Sequence, residues 1–190
     1  TAALEATVME AIIRPTVAAM VRDNMSYQGV LFAGLMLTDE GPKLIEYNAR
    51  FGDPECQVLM TRFEGDLAAL MLAVATGTLA QAEAPAFSRQ AALTIVMAAN
   101  GYPALPDKGR DIHLPEATDA KIFHAGTAEV GGELVSSGGR VLNITATGDT
   151  VTNAQATAYA AVDSIDFPGG FYRRDIGWRE VAREATSGTD

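Results

Sequence analysis

Apolar residues near the start of the chain recur with the period of a helix. Leu4, Val8 and Ile12 are three or four positions apart, and a similar pattern resumes after Pro15. A proline inside a helix lacks the N–H group and crowds the preceding turn. The pattern therefore predicts one helix ending at about residue 13 and a second helix over 15–22.

A hairpin and another helix are predicted next. Residues 29–38 are almost continuously apolar over the length of a strand, which indicates a strand covered on both faces. Residues 39–42 have turn composition, and 43–50 form the returning strand. Asp66 then precedes an apolar segment at 67–76, which ends at a glycine, and this arrangement predicts a capped helix.

Beyond residue 90 the pattern changes to short strands separated by glycine-rich turns. The predicted strands are 90–98, 120–124, 127–130, 133–136 and 140–147. One amphipathic helix follows, and its apolar face consists of Ala154, Ala158, Ala161, Val162 and Ile165. The predicted fold class is α+β, with a hairpin-and-helix domain at 1–80, a linker at 81–89 and a β-rich domain with packed helices at 90–190.

Charge and cysteine content exclude several classes of function. The net charge of −10 argues against a nucleic-acid or anionic-membrane partner, because both partners require a basic surface. The single cysteine, Cys56, excludes an internal disulfide and suits a reducing compartment. No segment has the pattern of a signal peptide or the length of a membrane span. We therefore expect a cytoplasmic protein.

The returning strand of the hairpin carries a row of polar side chains. Successive strand residues point to opposite faces, so Glu46, Asn48 and Arg50 share one face. A carboxylate and an amide oxygen two residues apart suit Mg²⁺, which takes hard oxygen ligands and leaves its other positions to phosphate and water. An arginine in the same row can hold a phosphate or a carboxylate through two hydrogen bonds. The row predicts a site for a divalent ion and an anion.

The residues after this strand lead into a short helix. Asp53 is the predicted cap of that helix and Pro54 its first residue. The start of such a helix offers free N–H groups to an anion. An alternative explains the same pattern, because polar rows on hairpins are commonly solvated faces and Asp-Pro-Glu is a common helix start. Spacing alone does not separate the two interpretations.

Several segments of the chain resemble one enzyme family. The run from Tyr27 to Val58, YQGVLFAGLMLTDEGPKLIEYNARFGDPECQV, is similar to the signature region of phosphoribosylamine–glycine ligases, which are ATP-grasp enzymes. Further similar segments follow the family's order: IRPTVAAM at 13–20, VMAANGYP at 96–103, KIFHAGT at 121–127, GGRVLNITATG at 138–148 and YRRDIGWR at 172–179. The resemblance implies the distal segment of an ATP-grasp domain followed by a small β-rich carboxy-terminal domain.

The family's reaction assigns roles to the matching residues. The resemblance implies phosphoryl transfer from ATP to the glycine carboxylate, then attack on glycyl phosphate by the amine of 5-phosphoribosylamine to give glycinamide ribonucleotide. Glu46 and Asn48 resemble the family's ligands for Mg²⁺ or Mn²⁺, and Arg50 resembles the catalytic group that clamps the γ-phosphate or the glycyl carboxylate. Gly52 and Asp53 would shape the substrate pocket. The strand before the metal ligands, FAGLM, has no acidic residue, so the implied site has few carboxylates.

Four further residues are weaker predictions for substrate binding. His124 lies on a predicted strand beside apolar residues, where a histidine in the core is the main alternative. Arg140 follows two glycines that also suit a hairpin turn. Arg173 and Arg174 would close over the ribose phosphate, or belong to a surface cluster of ion pairs.

The family's proteins are about twice as long as this chain. The resemblance implies that a partner is missing, namely the amino-terminal domain and the lid over ATP, and that the chain alone is inactive. Two other functions stay open: a non-catalytic domain of a larger ATP-grasp protein, and another ATP-grasp ligase or carboxylase.

Overall fold

The computed structural model describes residues 1–187, which divide into two compact units that are not continuous in sequence. Unit 1 consists of 1–52 and 65–85, and unit 2 consists of 53–64 and the chain from 86 onward. The predicted linker at 81–89 therefore overlaps the boundary between the units, but the segment 53–64 packs with the carboxy-terminal strands. The domain boundaries at 80 and 90 stay predictions.

The described chain combines helices with small antiparallel sheets in an α+β arrangement, and the predicted fold class is confirmed. The elements are α1 Ala2–Val8, a π-helical turn Met9–Ile13, α2 Arg14–Arg22, β1 Phe32–Thr38, β2 Gly41–Asn48, α3 Glu55–Arg62, β3 Phe63–Glu64, α4 Leu67–Thr76, a 3₁₀ turn Leu79–Gln81, β4 Ala86–Phe87, β5 Ala91–Ala99, β6 Lys121–His124, β7 Thr127–Val130, β8 Glu133–Ser136, β9 Arg140–Gly148, α5 Val151–Asp163, β10 Gly170–Phe171 and α6 Trp178–Ser187.

In unit 1, the amino-terminal helix continues through its proline. The prediction of two helices separated before Pro15 is wrong, because a π-helical turn joins α1 to α2. The N–H group of Arg14 bonds to the carbonyl of Met9, five residues earlier. Widened turns of this kind accommodate local disturbances of the helical hydrogen-bond ladder, and proline is a common cause of such disturbances.

The predicted hairpin of unit 1 is present as β1 and β2, which pair antiparallel with an irregularity after Gly34. Two details of the prediction are wrong. The second strand ends at Asn48 and does not reach residue 50. Strand β1 is not covered on both faces within the described chain, since Met36 and Leu37 are 54% and 61% exposed. Helix α4 has its predicted bounds, with the Asp66 side chain as its amino-terminal cap.

Unit 2 is built on a four-stranded antiparallel sheet in the order β10-β5-β9-β6. The predicted strands at 90–98, 120–124, 127–130, 133–136 and 140–147 are confirmed to within one residue at each end. Strands β7 and β8 form a separate hairpin, and β3 pairs with β4. Helix α5 packs on β5 and β9, the two central strands, and α3 also packs on this pair.

The core of unit 2 lies between the central strands and α5. Alternate residues of β5 and β9 meet across the sheet, as Ile95 meets Ile144, and both side chains have no exposed surface. The predicted apolar face of α5 is buried against them and consists of Ala154, Ala158, Ala161 and Val162, with Ile165 just beyond the helix. Alanine side chains let the helix approach the sheet closely, which gives the dense packing of a protein interior.

Candidate active site

The two predicted metal ligands lie together on the outer face of the hairpin. The Nδ2 atom of Asn48 donates to Oε1 of Glu46 over 3.2 Å, and Glu46 is exposed. Strand β1 places Gly34 opposite Glu46, and a Cβ atom at that position would lie 3.3 Å from the Cγ atom of Glu46. The glycine therefore leaves the space beside the carboxylate open.

The opposite face of the same strand is held by the amino-terminal helix. The Tyr47 hydroxyl lies 2.5 Å from Oγ1 of Thr16, and it also donates to the carbonyl of Ile12 over 3.4 Å. Because Tyr47 stands between the predicted ligands in sequence, this contact fixes which way the two polar side chains face. The strand gives the pair a rigid base.

Arg50 lies beyond the end of β2, so strand alternation does not place it in the same row. Its Nη1 atom donates to the carbonyl of Phe51 over 2.7 Å, and its side chain is exposed. Within residues 1–187, no hydrogen bond joins Arg50 to Glu46 or Asn48. The structure brings together two of the three predicted residues and leaves the guanidinium on the following loop.

Asp53 does not cap the helix that follows it, and this prediction is wrong. Helix α3 begins at Glu55 after Pro54, without a side-chain hydrogen bond at its start. The Asp53 carboxylate instead forms an ion pair with Arg140, with 2.6 Å between Oδ2 and Nη2. The main-chain carbonyl of Asp53 accepts a second bond from Nη1 of Arg140 over 3.0 Å. Gly52, which precedes Asp53, is buried.

The turn before Arg140 is tightly packed by glycines. A Cβ atom on Gly139 would lie 2.5 Å from the ring of Tyr102, and one on Gly126 would lie 2.5 Å from the carbonyl oxygen of Arg140. The N–H group of Ala99 bonds to the carbonyl of Gly139 over 2.8 Å. The segments with family motifs at 96–103, 121–127 and 138–148 therefore meet at one end of the central sheet.

His124 is the last residue of β6 and is exposed, so the alternative of a histidine in the core is wrong. Its Nδ1 atom lies 3.0 Å from Oγ1 of Thr127. The neighbouring Ala125 and Gly126 donate N–H groups to the carbonyl of Val141. The histidine is thus at the same end of the sheet as Arg140, and its substrate role stays a prediction.

Arg173 and Arg174 are engaged with carboxylates. Arg173 forms two hydrogen bonds with Asp175, of 2.8 and 2.6 Å, and Arg174 forms two with Asp163, of 3.0 and 2.7 Å. The guanidinium of Arg174 also stacks over Tyr172, 4.7 Å from the ring centroid. Hydrogen bonds from Arg174 and Tyr172 hold the pKa of the Asp163 carboxyl below its usual value. These pairs favour a surface ion-pair cluster.

Sequence reasoning missed two long-range contacts of charged side chains. The Asp53–Arg140 pair joins residues that are 87 positions apart, and no local pattern indicates such a pair. The Glu184 carboxylate accepts N–H groups from Val151 and Thr152 and thereby caps α5. These bonds lower the pKa of Glu184, with the Thr152 hydroxyl as the largest cause.

For Cys56, burial and then the Asp53 carboxylate raise the pKa of the thiol, which suits a packing role.

The Glu46–Asn48 pair fits a divalent ion by its donor chemistry. One carboxylate and one amide oxygen are hard ligands on an open face, and turning the amide over places its oxygen beside the carboxylate. No group of three or more His, Cys, Asp or Glu side chains suited to a metal occurs among residues 1–187. The pair therefore matches the Mg²⁺ pattern in which phosphate and water complete the coordination.

Comparison with known proteins assigns the chain to a family. A model of the phosphoribosylglycinamide synthetase ATP-grasp (A) domain matches residues 1–56, and a model of the C domain of the same synthetase matches residues 92–179. The chain belongs to the phosphoribosylamine–glycine ligase family. It corresponds to a carboxy-terminal portion of the family's proteins. The resemblance deduced from the sequence motifs is confirmed.

Relatives in the ligase family are similar along nearly the whole chain. Phosphoribosylamine–glycine ligase of Agrobacterium fabrum is 54% identical over 97% of the chain, and the chloroplastic enzyme of Arabidopsis thaliana is 48% identical over 95%. The chain spans 44% and 35% of these two proteins. The crystal structure of the Thermotoga maritima phosphoribosylamine–glycine ligase superposes on this chain with a TM-score of 0.79 at 39% sequence identity. The matched region comprises 89% of this chain and 42% of the Thermotoga protein.

The same fold occurs in a more distant protein. A single-chain, multi-domain long-chain acyl-CoA carboxylase superposes on this chain with a TM-score of 0.61 at 20% sequence identity. The matched region comprises 91% of this chain and 19% of the carboxylase. At that identity only the fold is shared. Within the described part of the chain, every helix is too short or too polar to span a lipid bilayer.

Proposed function

We propose that this chain provides the distal ATP-grasp segment and the C domain of an enzyme that joins glycine to 5-phosphoribosylamine at the expense of ATP. The product would be glycinamide ribonucleotide, formed through glycyl phosphate in purine biosynthesis. The adjacency of Glu46 and Asn48 on the open face of β2 carries this proposal, in a chain 54% identical to a ligase of that name.

Glu46 and Asn48 would hold Mg²⁺ or Mn²⁺ against the phosphates of ATP. The ion, when bound, neutralises negative charge on the phosphoryl oxygens during transfer. The protein contributes mainly alignment, because phosphoryl transfer needs little covalent chemistry from side chains. The contact between Tyr47 and Thr16 supports this role, since it holds the strand so that both ligand side chains face the same way.

Arg50 would hold the γ-phosphate or the glycyl carboxylate. Its guanidinium is exposed and donates one bond to the Phe51 carbonyl, so its other N–H groups can reach an anion. Gly52 and Asp53 would shape the pocket beside it. Among the four weaker substrate candidates, His124 gains support from its exposed position at the end of β6, whereas Arg140 is already paired with the Asp53 carboxylate. A substrate-binding role for Arg173 and Arg174 loses support, because both side chains already form ion pairs with carboxylates.

The other parts of the proposal concern the whole enzyme. Since the chain spans less than half of the relatives' length, ATP binding would also require the part of the protein that carries the lid. We expect no ligase turnover from these 190 residues alone and a restored rate when the remaining part is supplied. We also place the enzyme in the cytoplasm, with no nucleic acid or membrane as partner, on the basis of its charge and its single cysteine.

A substitution in the complete enzyme tests the metal site. We expect Glu46→Ala to lower turnover by at least about 100-fold, since it removes the site's carboxylate from a position where charge must be neutralised. Its unfolding midpoint should match that of the unaltered enzyme because the side chain is exposed. The matched control is Glu40→Gln, an exposed carboxylate in the turn of the same hairpin.

The measurements are glycine-dependent ADP formation as a function of magnesium concentration, and a urea unfolding curve for each variant. A Glu46→Ala enzyme with a near-normal rate and unchanged magnesium dependence would remove Glu46 from the site. An equal loss in Glu40→Gln would show that the hairpin responds to any change of charge.

A further inference from the structure

We propose that Arg140 is a positioning residue that holds Asp53 in place, and through the intervening chain restrains Arg50, without touching substrate. This inference rests on the proposed function, in which Arg50 clamps an anionic group. It differs from the sequence-based prediction, in which Arg140 binds substrate directly.

The geometry of the pair supports a holding role. Arg140 bonds to the Asp53 carboxylate through Nη2 and to the Asp53 main-chain carbonyl through Nη1, over 2.6 and 3.0 Å. Two acceptors on one residue fix both its side chain and its backbone, because a guanidinium presents its donors in a rigid planar fork. Each terminal nitrogen thereby gives one of its two N–H groups to Asp53, which directs this end of the fork at that residue.

Arg140 itself has a firm base. It is the first residue of β9 and pairs with Ala98 of β5, where the register of the two strands shifts. The preceding Gly139 accepts a bond from the Ala99 N–H group and packs against Tyr102. On the other side of the pair, Asp53 leads directly into α3, which packs on the same two strands. The ion pair therefore connects two segments of the same compact unit.

Chain length makes this anchor relevant to Arg50. Arg50 and Asp53 are three positions apart, and a fully extended segment of that length spans at most about 11 Å. If Asp53 loses its bonds to Arg140, the short segment from Arg50 to Asp53 is no longer held at its carboxy-terminal end. A displacement of about 1 Å at a reacting group can lower a rate by about 100-fold. Ion pairs as exposed as this one, at 38% and 45%, contribute little to stability. Loss of the pair should therefore be visible in catalysis far more than in folding.

Arginine-to-lysine substitution in the complete enzyme is the first test. Arg140→Lys keeps the charge but loses the fork, and we expect kcat to fall by about 10- to 100-fold with the KM for phosphoribosylamine changed by less than about threefold. The matched control is Arg110→Lys, which alters another Arg–Asp pair of unit 2, with 2.7 Å between Arg110 and Asp107. That control should retain the normal kcat. Equal kcat values for both variants would overturn the proposal.

A double-mutant cycle with Arg140→Ala and Asp53→Ala is the second test. If Arg140 acts through Asp53, the double variant should be no slower than the slower single variant, because both changes break the same link. If Arg140 binds substrate, Arg140→Ala raises the KM for phosphoribosylamine, and its effect multiplies with that of Asp53→Ala. Either of those two results overturns the positioning role.

The two proposals fail in different ways. An unaltered complete enzyme that forms no glycine-dependent ADP refutes the proposed function before any variant is compared. An active enzyme whose Arg140 variants behave like Arg110→Lys refutes only the positioning role. Unfolding curves followed by circular dichroism show whether each variant is folded. If Arg140→Ala does not fold, the lysine variant decides the question.

Discussion

The packing of Ile144 against α5 allows a quantitative prediction about unit 2. Ile144 is in the middle of β9, faces Ile95 across the sheet and has no exposed surface. Replacing isoleucine by alanine removes three carbon groups, worth about 0.8 kcal/mol each in transfer free energy. The alanines on the facing side of α5 are too short to fill the space, so a cavity cost is added. We expect Ile144→Ala to lower the free energy of unfolding by about 3–4 kcal/mol.

Urea denaturation measures this loss directly. Trp178 begins α6 and lies in unit 2, so its fluorescence follows the unit that contains the substitution. With a denaturant slope of about 1.5–2 kcal/mol per molar urea, the midpoint should fall by roughly 2 M. Ile144→Val, which removes one carbon group, should lower the midpoint by roughly 0.5 M. Leu105→Ala is the control, because that leucine is 85% exposed and its loss should leave the midpoint nearly unchanged.

A midpoint for Ile144→Ala within about 0.3 M of the unaltered protein would refute the reasoning. That result would mean that α5 moves into the space at little cost, and that the helix is less firmly packed than its buried face indicates. An equal loss in Leu105→Ala would show instead that the midpoint responds to any removal of apolar surface.

Two further predictions concern a glycine contact and an ion pair of unit 2. Gly126→Ala should cost about 1–3 kcal/mol of unfolding free energy, because its Cβ atom would lie 2.5 Å from the main-chain oxygen of Arg140, which has no room to retreat. Gly131→Ala, at a φ of +64° in open space, measures instead the cost of backbone strain without a clash, and a Gly126→Ala variant as stable as the unaltered protein would contradict the steric cause. The pKa of Asp163 is lowered in the folded state, so its pair with Arg174 contributes stability above about pH 4 and loses it as the pH falls through the folded pKa. Asp163→Asn should therefore flatten the acid side of the stability profile measured by Trp178 fluorescence between about pH 2 and 5, and an unchanged slope would exclude this pair as a source of the pH dependence.

The local elements of the fold were predictable because short-range patterns specify them. Strands β5 to β9 and helix α4 match the predicted bounds closely, since alternation, turn glycines and the Asp66 cap act within a few residues. The helix through Pro15 was not predictable in this way. Proline interrupts the helical hydrogen bonds, and a π-helical turn accommodates the interruption. The spacing of apolar residues does not distinguish such a turn from a break between two helices.

In the candidate site too, local patterns place some residues correctly and fail for others. The placement of Glu46 and Asn48 on one face follows from strand alternation, and the structure finds them 3.2 Å apart. Alternation does not apply to Arg50, because the strand ends before it. Asp53 was assigned to the wrong partner, since a local cap and a distant arginine compete for the same carboxylate and only the distant contact needs the folded sheet.

The sequence by itself determined strands β5 to β9 and helix α4, the shared face of the two predicted metal ligands and the family, because each depends on residues close together in the chain or on motifs in a fixed order. The tertiary structure alone decided that the segment 53–64 joins the carboxy-terminal unit and that Arg140 meets Asp53 across 87 positions. Contacts between residues so far apart in sequence form only when strands pair and helices pack. Short-range sequence patterns do not specify which distant surfaces meet.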